Sequence, residues 1–268
     1  MFNLALQNTL LQLLIFVVCV YLVGYLVYLC NKTFYGQLGN SRTVCLATGI
    51  IGTPIHELSH ALLCIVFGHR ITEMKLFQID DASGTLGYVN HSYNPKNWYH
   101  KIGNYFIGVA PLFGGSIFLY LIMTYFAPDA YEFMNTVVSE IMSIYNGKLG
   151  ISLFPVIFKT VIATLGVIFT ENFGINTVIF VVIAFCVALH MNLSTADIKS
   201  SIAPLPLLAI VLFIVNLILA LIGTSVYPSF LEGVFFVGCY LLVFLALSLI
   251  LSIIILMIGF VFKLIRRR

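Results

Sequence analysis

The sequence predicts an all-α polytopic membrane protein: about six transmembrane helices, with a membrane-associated β-hairpin after the second. Three observations predict it. Of 268 residues, 61% are hydrophobic and 9% charged, against about 25% charged in soluble domains, and mean hydropathy is +1.07. Six apolar runs are long enough, at about 1.5 Å rise per residue, to cross a hydrocarbon core of about 30 Å. The longest polar region, Gly68 to Gly103, holds two alternating stretches around a turn-rich cluster.

The first span runs from about Thr9 to Cys30. Met1 to Leu10 lacks a basic n-region and a small-residue cleavage site follows nowhere, so this reads as a mature helix. A polar connection, Asn31 to Thr43, leads to the second span, about Val44 to Phe67. Its Pro54 frees a backbone carbonyl and predicts a bend or a local opening. In the polar region, Ile71 to Phe77 and Thr85 to Val89 alternate like strands, and Asp80-Asp81-Ala82-Ser83-Gly84 is turn chemistry. Hydrocarbon cannot satisfy an open sheet edge, so the hairpin belongs at the interface, against protein, or beside a wet cavity. Tyr93, Trp98 and Tyr99 suit an interfacial belt.

The third span, about Asn104 to Ala127, contains the small-residue stretch Gly108 to Gly115 around Pro111, which permits close helix packing and a kink. Pro128 to Gly150 reads as an amphipathic surface segment. Ile151 to Thr170 is apolar but carries Pro155 and a central Lys159. A lysine at mid-bilayer costs about 2.5–3.5 kcal/mol on insertion scales, so this segment is expected not to span. Spans four to six follow at about Gly174 to Leu193, Pro206 to Val226 and Phe235 to Phe262. Three regions result: an N-terminal helix and loop over 1–43, a core over 44–204, and a C-terminal helix pair with a basic tail over 205–268.

Composition excludes several classes. No polar region is long enough for a separate soluble domain. The net charge of +3 gives no footprint for nucleic acid. The six cysteines lie in or beside apolar segments without a C-x-x-C spacing, so a disulfide framework or cysteine zinc site is not expected. The expected partners are the lipid bilayer and a membrane-protein or membrane-peptide substrate; the sequence is silent on oligomeric state.

The second span carries His56-Glu57-Leu58-Ser59-His60. Residues four apart share one helix face, so His56 and His60 can offer two imidazoles to one cation. Glu57 sits beside that face, where its carboxylate can take a proton from an attacking water. This is the zinc-hydrolase reading of H-E-x-x-H, with one Zn2+ per chain. Chance matches to so short a motif are common. Here, three of the chain's sixteen acids and histidines fall within five residues of an apolar segment, where ionisable groups are costly and usually functional.

A catalytic zinc takes three protein ligands. Asp197 follows a helix end rich in polar donors and is the favoured third; His190 and Glu171 are the alternatives. Equally, Asp197 suits the first turn of a short helix as a cap. Topology bears on the choice. If Ile151 to Thr170 does not span, nine basic residues fall on one side of the membrane and four on the other. Positive charge favours the nine-residue side as cytoplasmic, and His60 and Asp197 then lie near that same face.

These residues resemble the site-2 protease family of intramembrane zinc metalloproteases. The resemblance runs from about Gly52 to Asp197. It rests on His56 to His60, the following Phe67-Gly68-His69-Arg70-Ile71-Thr72, the hairpin region, the Gly108 to Gly115 stretch, and Asn192 to Asp197. The chain departs from the family pattern in two respects: Gly114 and Gly115 stand near where it has an asparagine, and Ile198 follows Asp197 where it has glycine. The resemblance implies zinc on His56, His60 and Asp197, with Glu57 as general base. The competing classes are a non-proteolytic membrane protein with a metal site and, less in keeping with the absence of paired broken helices in two matching halves, a transporter.

Overall fold

The computed structural model describes residues 1–39, 42–79, 85–144, 153–171, 173–222 and 226–266. The expected turn at Asp80 to Gly84 lies outside them. Helix α1 (Phe2–Leu13), a π-helical turn (Leu14–Cys19) and α2 (Val20–Gln37) form one helical run of 36 residues. It is longer at both ends than the expected span. Hydropathy marks only the apolar centre, whereas Asn3, Gln7, Asn31 and Lys32 sit in its outer turns without breaking it. The π turn has a use: the Tyr105 hydroxyl donates to the Phe16 carbonyl there, in a stretch where the regular ladder is disturbed.

Helix α3 (Arg42–Val66) runs unbroken through Pro54, so the expected opening does not interrupt it. It ends at Gly68, whose φ of 68° is the left-handed conformation glycine favours. The chain then doubles back as a hairpin, β1 (Arg70–Lys75) paired antiparallel with β2 (Tyr88–Ser92), with an irregularity between Ile71 and Glu73. The second strand was expected at Thr85 to Val89 and lies later. Polar Asn90, His91 and Ser92 hide it from a hydrophobic pattern, while Leu86 and Gly87 pack on α3 instead.

Two helices are broken. Helices α4 (Trp98–Gly108) and α5 (Ala110–Phe126) meet at 59°, and α8 (Ile175–His190) and α9 (Thr195–Ile202) at 65°. Helices α6 (Pro128–Ile144) and α7 (Leu153–Thr170) pack on each other. The buried Ala130, Met134 and Val138 form the inner face of α6, as its amphipathic pattern predicts. Helix α10 (Leu205–Ile222) and the 41-residue α11 (Val226–Arg266) complete the chain. Among the described residues, four helical runs are long and apolar enough to cross a membrane, or six when each bent pair counts as one. The apolar part of α7, Pro155–Thr170, falls short of that length and its Lys159 is exposed.

The core lies where α2, α5, α8 and α11 meet, around Leu112, Leu119, Phe244 and Leu245. A polar clamp ties α1 to α10 and α11. Asn216 donates to Gln12 Oε1 at 2.8 Å and to Thr9 Oγ1 at 3.1 Å, and accepts from Tyr227 at 3.2 Å; Asn8 donates to Tyr227 at 2.8 Å. Asn216→Leu strands these groups in the bundle. Unpaired buried polar groups cost about 1–3 kcal/mol, and a lowered midpoint in denaturing-detergent unfolding is the expected result.

Candidate metal centre

Helix α3 stacks His56 and His60 one turn apart, and their Nε2 atoms lie 3.2 Å from each other. Each ring is fixed from behind. His56 Nδ1 is 2.7 Å from the His190 carbonyl, and His60 Nδ1 is 2.7 Å from the Ile107 carbonyl. A carbonyl only accepts, so both Nδ1 atoms carry the proton and both Nε2 atoms present bare lone pairs. Two neutral imidazoles facing each other this way repel. A shared cation turns the repulsion into coordination. Two nitrogens about 2.0–2.1 Å from zinc at tetrahedral angles would lie about 3.3 Å apart, close to the spacing present.

Both carbonyls lack the usual helical donor four residues on because a helix breaks there. Ile107 lies four residues before Pro111, which has no N–H to return to it. His190 lies four before Ser194, whose N–H goes instead to Asp197 Oδ2 at 2.8 Å. The end of α8 is further satisfied by Asn31, which donates to the Ala188 and Leu189 carbonyls at 3.2 and 3.1 Å. The kink at α4–α5 and the gap at α8–α9 thus supply the acceptors that aim the two histidines. Pro111→Ala restores a competing donor for the Ile107 carbonyl. Loss of such an outer partner costs about 10–100-fold in metal affinity, to be read by competition with a chelator.

Asp197 reaches the same point from α9. Its Oδ1 lies 3.6 Å from His60 Nε2, and the candidate ligand atoms of His56, His60 and Asp197 all lie within 4.8 Å of one another. Its other oxygen closes a capping box with Ser194: Ser194 N–H donates to Oδ2, and the Asp197 N–H donates to Ser194 Oγ at 3.1 Å. The capping and ligand readings of Asp197 are therefore compatible, one oxygen each. Tight backbone packing sets this arrangement. A Cβ on Gly108 would lie 2.5 Å from the Asp197 carbonyl, and one on Gly52 would lie 2.4 Å from the Cys186 carbonyl. The His190 ring lines the cavity with Nδ1 2.9 Å from the Cys186 carbonyl and is not grouped with the three candidate ligands, while its backbone carbonyl holds His56. Glu171, exposed after the end of α7, is not among the grouped residues.

Glu57 is buried beside the histidines and covered by the hairpin. A Cβ on Gly87 would lie 2.8 Å from Glu57 Cγ and 2.9 Å from Thr53 Cγ2, so only glycine lets the segment leading into β2 lie this close. A cavity of about 890 Å³ opens onto His56 and Glu57. The hairpin residues Thr85 to Gly87 line one side, tyrosines of α2 another, and the Asn192 to Thr195 gap a third. Broken backbone at membrane depth is tolerated where it lines such a space. The buried Thr53 hydroxyl, also on the cavity, has no hydrogen-bond partner among the described residues.

Of the residues singled out from sequence, the fold brings His56, Glu57, His60 and Asp197 together. Sequence reasoning missed Asn31 and the carbonyls of Ile107 and His190 as supporting groups, and took Ser194 only as one of the polar donors beside Asp197. Pro111 and the Ser194–Asp197 spacing were the available signals.

A protein family described as "Putative zincin peptidase" matches residues 49–146. The matched segment holds His56, Glu57 and His60 and ends before Asp197. Over that segment the chain is similar to zinc metallopeptidases, which supports a metallopeptidase activity and zinc as the metal. No curated protein and no solved structure matches the chain.

Proposed function

We propose that the protein is an intramembrane zinc metalloprotease of the site-2 protease type, hydrolysing a peptide bond in a transmembrane or membrane-associated substrate. The observation that carries this is the pair of bare Nε2 lone pairs 3.2 Å apart with a carboxylate oxygen beside them. His56, His60 and Asp197 would hold the metal. Zinc so held supplies positive charge that polarises a carbonyl and acidifies water toward pKa about 7.

The chain's own residues do the rest. A Glu57 carboxylate oxygen takes the proton of the attacking water and delivers it to the leaving amine nitrogen. The hairpin beside the cavity would offer a strand edge to an extended substrate, with Thr85 to Gly87 leading from that hairpin to the cavity wall. Strand addition requires the substrate helix to be unwound locally. The Thr53 hydroxyl, without a partner among the described residues, would bind substrate backbone. The charge count supports a site near the cytoplasmic face.

The test is purified protein in detergent, assayed for metal and for cleavage of a membrane-segment peptide. One zinc at the His56, His60 and Asp197 site, with cleavage abolished by chelation and restored by zinc, is the expected result. Metal-replete protein that binds none there, or that drives metal flux in liposomes without cleaving, would overturn the reading.

A further inference from the structure

A second group of metal-ligating side chains lies outside the cluster around Glu57. Cys64 sits in the last full turn of α3, His69 just past its end, and His91 on β2; their ligand atoms lie within 4.8 Å of one another. The helix terminus explains the meeting. Gly68 N–H bonds the Ile65 carbonyl at 3.1 Å, and His69 N–H bonds the Cys64 carbonyl at 2.8 Å. This pattern folds the third residue past the helix, His69, back beside the third from its end, Cys64. Antiparallel pairing of β2 with β1 then brings His91, opposite Ile71, to the same point.

The ring of His69 is held as the His56 and His60 rings are. Its Nε2 is 2.9 Å from the His100 carbonyl, so Nε2 carries the proton and Nδ1 is a bare lone pair. That Nδ1 lies 3.1 Å from His91 Nδ1. Tyr93 stacks on the ring at 4.9 Å and 12°. Backbone-carbonyl support of the far ring nitrogen is the usual setting of a ligand histidine. Cys64 has no exposed surface and His69 is 5% exposed.

We infer that Cys64, His69 and His91 form a second metal site, for Zn2+, that clamps the base of the hairpin to the end of α3. One thiolate and two imidazoles are donors that zinc accepts. The ion would replace the Cys64 thiol proton, which leaves to solvent as the metal binds. The hairpin that this clamp anchors is the one whose Gly87 lies over Glu57, so the second metal fixes the cover of the cavity without touching the reacting atoms. The inference stands apart from the proposed protease activity, because its readout is metal and thiolate ligation alone.

The alternative is a simple hydrogen bond from His91 Nδ1–H to His69, with Cys64 left as a buried thiol. Cobalt separates the two, since Co2+ takes zinc sites and thiolate ligation gives a charge-transfer absorption. Full-length protein in detergent is loaded with Co2+ and desalted. Two cobalt ions per chain with the thiolate band are expected. The His56→Ala/His60→Ala protein keeps one cobalt and the band. Cys64→Ser, and His91→Asn on the hairpin where α3 is undisturbed, each keep one cobalt and lose or strongly weaken the band. Absence of the band in the unaltered protein, or its persistence at full strength in Cys64→Ser, overturns the second site. Either holds whatever the protease assay gives.

Discussion

Glu57→Gln is expected to lower kcat for peptide cleavage by about 10²–10⁴-fold, the usual weight of a general base, while zinc content and fold stay unchanged. The amide keeps the shape of the side chain, so its packing under Gly87 and beside Thr53 survives. What disappears is an oxygen able to hold a proton. His56, His60 and Asp197 converge on one point without Glu57, so the metal should remain. Wild type and variant are compared by metal analysis and by cleavage of the same membrane-segment peptide at saturating substrate. Zinc lost along with activity would make Glu57 a ligand. Full activity with zinc retained would remove it from the mechanism. A rise in KM with kcat kept would make it a substrate-binding group.

The architecture was legible because its signals are local. Apolar runs report spans, and His56 and His60 report one helix face through their spacing alone. The less legible parts depend on where helices break. Pro111 and the small residues around it promised a kink in span three, but not that the kink would free the Ile107 carbonyl to aim His60. His190 drew attention as a ring and acts through its carbonyl, because Ser194, four residues on, gives its N–H to Asp197. The first and last spans were read short since hydropathy fades before helix geometry does, whereas the fourth was read past the end of α8 at His190. The hairpin register slipped toward the apolar Thr85 to Val89 because β2 carries its useful residues, among them His91, at polar positions. The cluster of Cys64, His69 and His91 was not legible at all. Its members are adjacent only after the chain reverses at Gly68 and the two strands pair.

Asp197 is the residue where one side chain has two roles, and a pair of variants separates them. Asp197→Ala removes the oxygen beside His60 and also the oxygen that caps α9. Ser194→Ala removes only the hydroxyl half of the capping box. Losing a cap costs about 0.5–2 kcal/mol, so both variants should lower the unfolding midpoint by comparable amounts. Only Asp197→Ala should lose its zinc on dialysis against a chelator, and only it should lose cleavage activity completely. With the carboxylate gone, two imidazoles remain, one protein ligand short of the three a catalytic zinc takes. Ser194→Ala leaves Oδ1 in place, and the Ser194 N–H can still hold Oδ2, so its zinc should survive with modestly weaker affinity. Equal zinc loss in both variants would mean that the order of α9, rather than the carboxylate, holds the site together. Zinc retained in Asp197→Ala would send the search to another donor on the cavity wall, where the His190 ring is the first to replace next.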